Sequence, residues 1–141
     1  MNIAKIIFIV GTMIFSQSGF ADTENSQNLR SHLEAMNAHM ADLVDIAEDL
    51  YKDSVHPRLG RGLNYFSKVT KDQKAAMKLI DRDAPEMRKN LPAIADRIKY
   101  NFQLGHHQVL ASREYDRDYR PTGAAYQAAL NRFMGAVSRL P

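Results

Sequence analysis

The chain has 141 residues, of which 45% are hydrophobic and 25% charged, and its formal net charge is +3. A chain of this size fits one domain, and about 120 residues can bury a core without covalent staples. The absence of cysteine excludes disulfides, thiolate metal sites and a lipid-modified cysteine.

Met1 to Lys5 carries one positive charge, Ile6 to Phe15 is apolar apart from Gly11 and Thr12, and the next stretch ends Gly19-Phe20-Ala21. A charged start, an apolar centre and small residues in that order predict a secretory signal peptide over 1–21, cleaved after Ala21. The apolar centre is about half of the roughly 20 residues that a spanning helix needs, so no membrane span is expected after cleavage. The mature domain, 22–141, is then periplasmic or secreted.

Asp22 to Gln27 is polar and reads as a frayed start. Apolar residues then recur at Leu29, Leu33, Met36, Met40, Leu43, Ala47 and Leu50. Their steps of four and three define one helix face. The helix should stop before His56-Pro57, because the residue preceding proline avoids the helical region. A second series, Leu59, Leu63, Phe66, Thr70, Gln73, Met77 and Ile80, has a polar middle. Thr70-Lys71-Asp72-Gln73 has the form of a capping box. It favours dividing 58–83 into two short helices with a fresh start at Lys71, against one continuous helix. Gly60 and Gly62 weaken the beginning of this segment.

Asp83-Ala84-Pro85-Glu86 is a third start signal. It leads Met87, Leu91, Ile94, Ile98, Phe102, His106, Val109 and Leu110, with Pro92 deep enough to kink a helix that runs to about Tyr115. Arg120-Pro121-Thr122-Gly123 reads as the last break, before Tyr126, Leu130, Phe133, Val137 and Leu140. Four seam-bearing segments joined by short loops predict an all-α, up-down-up-down four-helix bundle. No useful length alternates with period two, so no sheet is expected.

Charge is segregated along the chain. Residues 27–53 set Arg30 and Lys52 against Glu34, Asp42, Asp45, Glu48, Asp49 and Asp53, whereas residues 58–82 set seven cations against Asp72 and Asp81. Neighbouring segments of opposite sign predict rims that pair within the molecule, which with export argues against a nucleic-acid role.

No glycine-rich phosphate loop, Gly-x-Ser-x-Gly elbow or His-Glu-x-x-His pair is present, so no catalytic residue is expected. The sharpest local feature is His32, Met36, His39 and Met40, which a helix gathers within an arc of about 100°. Imidazole with thioether suits copper, and the thioether favours Cu(I). Set against this, Met36 and Met40 fall on seam positions, where methionine is ordinary core filler. His56 and His106 form a second candidate pair. An antiparallel bundle puts them near one end and His32 and His39 towards the other, so the five histidines make at most two sites. His106 is in phase with the seam, as a satisfied core histidine would be.

Asp83-Ala84-Pro85-Glu86-Met87-Arg88, with Leu29, Leu33, Met36 and Met40, resembles the soluble periplasmic b-type cytochromes, which are exported four-helix bundles that hold haem without covalent attachment. That resemblance implies a methionine ligand in the first helix and a histidine in the last. The matching positions here are Leu33 and a point near Asn131, so both haem-ligand positions lack their ligands. Val69-Thr70-Lys71-Asp72-Gln73 is similar to the Leu-Thr-x-x-Gln motif of periplasmic envelope-stress and metal-resistance proteins. The leading expectation is a non-enzymatic exported bundle that binds a protein partner or an envelope component, with no cofactor; the alternative is a copper or haem binder.

Overall fold

The computed structural model describes residues 17–82 and 85–141, with side chains from Ser26 onward. The apolar centre of the expected leader, Ile6 to Phe15, lies outside them. Four helices follow in order: α1 (Gln17–Ser54), α2 (Pro57–Arg82), α3 (Pro85–Ser112) and α4 (Tyr119–Ser138). There is no strand among the described residues, and none of the described helices is long and apolar enough to cross a membrane. α1 neighbours α2 and α4, and both of these neighbour α3. The chain is therefore an all-α four-helix bundle with α1 and α3 across its diagonal.

α1 starts at Gln17, so Asp22 to Gln27 is helical rather than frayed. Extending a nucleated helix adds one hydrogen bond per residue, and this stretch contains neither proline nor glycine to stop it. The seam is as the spacing predicts: Leu29, Leu33, Met36, Met40, Leu43 and Ala47 are all fully buried. Leu50 is half-buried near the helix end.

α2 is one unbroken helix, which corrects the expected restart at Lys71. Both side chains of the supposed capping box are committed elsewhere. The Thr70 hydroxyl donates to the Phe66 carbonyl at 3.1 Å, a bond inside a running helix. Gln73 turns into the core and is buried. The buried face is also rotated from the expected one. Leu59, Gly62, Phe66, Val69, Gln73, Ala76 and Ile80 are buried, while Leu63, Thr70 and Met77 sit half-exposed on the flank.

α3 opens on Pro85, continues through Pro92 and ends at Ser112, short of Tyr115. Ser112 closes it: its hydroxyl donates to the Val109 carbonyl at 2.6 Å and accepts from the Glu114 N–H at 3.1 Å. The break before α4 is Arg113 to Asp118, not Arg120 to Gly123. Pro121 falls in the first turn of α4, where its missing N–H costs little. Asp116 Oδ1 accepts from the N–H groups of Asp118 at 2.9 Å and Tyr119 at 3.1 Å, satisfying donors that the helix start leaves open.

α2 and α3 cross at glycine. A Cβ on Gly62 would lie 3.2 Å from the Gly105 carbonyl oxygen, and one on Gly105 would lie 2.7 Å from Phe66 Cε1. Here the glycines serve close approach of two backbones.

Candidate functional site

The four residues of the α1 candidate metal face separate by burial. Met36 and Met40 are fully buried among the apolar core. His32 and His39 are half-exposed on the edge of the same stripe. Burial first, then the cations Arg132 and Arg139, hold the His32 imidazole below its ordinary pKa. Those guanidiniums belong to α4 and to the residue just beyond it, so the histidine edge turns towards α4. Copper bound by imidazole and thioether together would have to draw Met36 or Met40 out of the core, beside two positive charges.

His56 and His106 are each engaged locally. His56 precedes α2, and its Nδ1 accepts the Arg58 N–H at 3.1 Å, the capping bond that a helix start needs. His106 lies on α3, stacked between Phe102, with ring centroids 5.3 Å apart, and Tyr119, at 5.6 Å. Its Nδ1 is 3.0 Å from the Tyr119 hydroxyl. Burial, then the charges of Arg120 and His107, lower its pKa. Tyr119 is fully buried, and burial raises the pKa of its phenol well above the usual range. The phenol stays neutral, and its donating to Nδ1, with the His106 proton on Nε2, is the tautomer assignment that satisfies the buried hydroxyl. Among the described residues, no group of three or more histidine, aspartate or glutamate side chains is arranged to hold a metal ion.

The positions that the cytochrome resemblance assigns to haem ligands offer no such ligand. Leu33 is a fully buried hydrocarbon. Asn131 is exposed, and its Oδ1 accepts from Gln127 Nε2 at 3.0 Å.

A polar chain that runs from the core to the surface went unread in the sequence. Tyr126 donates to Gln73 Oε1 at 2.6 Å, and Gln73 Nε2 donates to Asn37 Oδ1 at 2.7 Å. Three helices are thereby tied at one level, beside the Phe102–Tyr126 ring contact at 4.4 Å. The Arg113 to Arg120 stretch is likewise used internally. Tyr119 is core, and Tyr115 accepts from Arg120 at 2.7 Å with the guanidinium over its ring.

The surface departs from the expected pairing of opposite rims. Among the described residues, the ion pair between α1 and α2 is Arg30 with Asp81, the reverse of the expected polarity. No α1 carboxylate is ion-paired with an α2 cation among the described residues. Glu48 shares an open groove of about 430 Å³ with Lys71 and Lys74, floored by Val44 and Leu63, yet forms no ion pair with either. A second open groove of about 410 Å³ runs between α2 and α3, with Lys78, Arg82 and Arg97 over Ala75, Leu79, Ala93 and Ile94. None of its described lining residues is a carboxylate.

Comparison with family models, curated proteins and solved structures found no match for this chain.

Proposed function

We propose that the chain is an exported, non-enzymatic binding protein whose working parts lie on its surface. The observation that carries this reading is the segregated charge: an acidic α1 beside a basic α2, with no α1 carboxylate ion-paired to an α2 cation among the described residues. Charges left facing solvent at this density act on partners and steer their approach. The interior supports the same reading, because Met36 and Met40 are spent on packing, His56 on capping and His106 on stacking and hydrogen bonding. Export rests on the leader pattern of residues 1–21.

Expression of the full coding sequence in a bacterial host tests both halves. The expected product is periplasmic, begins at Asp22 and sediments with isolated cell envelopes at low salt. Full-length protein retained in the cytoplasm would remove the export half. Mature protein that stays in the supernatant at every salt concentration would remove the binding half.

A further inference from the structure

We propose that the outward ridge of α2 docks on an anionic lipid surface; this names the envelope component in the binding reading above and rests on it. Lys68, Lys71, Lys74, Lys78 and Arg82 follow one another at steps of three or four. At about 100° per residue they fall within an arc of about 120° and climb about 21 Å, roughly one cation per turn. All five are exposed. The two carboxylates of α2 lie off this arc and are drawn to the neighbouring helices, Asp72 to Arg97 at 3.4 Å and Asp81 to Arg30. Lys71, Lys74, Lys78 and Arg82 have no ion-pair partner among the described residues. Lys68 lies 5.4 Å from the centre of the Tyr65 ring.

The chemistry of the ridge suits a layer of headgroups. Four of its five cations are lysines, which act as point charges on flexible apolar stems rather than as planar forks for one carboxylate or phosphate. Such stems lie along apolar ground while their heads reach charge. Apolar side chains line the grooves on both sides, Val44 and Leu63 on one and Leu79 and Ile94 on the other. The glycine crossing sets α3 flush with α2, and Tyr100, 63% exposed, adds an amphipathic ring on α3. The acidic α1 lies across the bundle from α3 but beside α2, and its Glu48 lines the groove along Lys71 and Lys74, so an anionic surface is attracted to the flank of the ridge that faces α3 and repelled from the flank that faces α1. One orientation is selected.

The test uses mature protein recovered from the periplasm and sedimented with vesicles of equal parts phosphatidylglycerol and phosphatidylcholine, or of phosphatidylcholine alone. Binding is expected to the first only, and to vanish near 1 M salt, where screening reaches about 3 Å. The triple variant Lys71→Glu/Lys74→Glu/Lys78→Glu should lose at least about a hundredfold in binding with an unchanged helical spectrum and melting temperature. Arg117→Glu/Arg132→Glu/Arg139→Glu changes net charge equally, away from α2 and α3, and should bind nearly as wild type. Equal losses in the two triples would assign binding to net charge and overturn the ridge. Tight binding to soluble heparin without vesicle binding would replace the lipid surface by a linear polyanion. Envelope sedimentation that persists without vesicle binding, and is abolished by protease treatment of the envelopes, would retain the binding reading and remove the lipid.

Discussion

Tyr126 gives its hydroxyl proton to Gln73 Oε1 across 2.6 Å, and both residues are sealed from solvent. Gln73→Leu leaves that hydroxyl buried without a partner, which costs about 1–3 kcal/mol. Tyr126→Phe in turn leaves the amide oxygen unsatisfied. The double variant removes both polar partners and should lose clearly less than the sum of the singles. Urea denaturation of the four proteins measures the coupling. Equal losses from Gln73→Leu in the wild-type and Tyr126→Phe backgrounds would show that the bond carries no stability.

Two glycines, Gly105 at the α2–α3 crossing and Gly60 against the Tyr51 ring of α1, predict opposite results on substitution by alanine. At Gly105 the new methyl meets Phe66 Cε1 at 2.7 Å and the Gly62 carbonyl oxygen at 3.1 Å, so ring or backbone must move. Gly105→Ala should cost about 1–3 kcal/mol, as overpacked cores do. At Gly60 the nearest atoms are those of the Tyr51 ring at 3.5 Å, an ordinary contact. Gly60→Ala should therefore gain about 0.5–1 kcal/mol from helix propensity and a less flexible unfolded chain. Thermal melts of both variants decide it; a stabilised Gly105→Ala would mean the helices part more easily than their spacing implies.

These two relationships also explain what could be read in advance. The α1 seam was legible because every one of its core positions from Leu29 to Ala47 is apolar and in strict step. On α2 the core includes Gly62 and Gln73, which no hydropathy pattern marks as interior. They are interior because of partners far along the chain: Val109 and Gly105 for the glycine, Asn37 and Tyr126 for the glutamine. The capping-box pattern at Thr70 is purely local, and tertiary packing overrode it. The charge segregation was legible, but its failure to pair was not. Composition gives the sign of a segment, whereas pairing depends on which flank each side chain takes.

Val55 joins α1 to α2 with φ of 50° and is 67% exposed. A β-branched residue in the left-handed region carries about 1–2 kcal/mol of strain, and an exposed valine gains little burial in return. Val55→Gly removes the strain at the cost of a more flexible unfolded chain, for a net gain of about 0.5–1 kcal/mol. A raised melting temperature is expected. A lowered one would show that the valine side chain makes a contact worth more than its backbone strain.

His106 should make the fold acid-sensitive. Its folded pKa lies below 6.5, through burial first and then through Arg120 and His107. The unfolded chain therefore takes up this proton more readily than the folded one. The contribution is complete above about pH 6.5 and is lost as pH falls through the lower folded value. Protonation also converts Nδ1 from acceptor to donor, so the buried Tyr119 hydroxyl loses the partner it donates to. His32 is shifted in the same direction, so the two must be separated by substitution. His106→Gln keeps an acceptor for Tyr119 but cannot be protonated. The wild-type urea midpoint should fall between pH 7.5 and 5.5, and His106→Gln should show a smaller fall while remaining helical at both. An identical fall in the variant would assign the acid sensitivity to His32 or to groups other than this stacked imidazole.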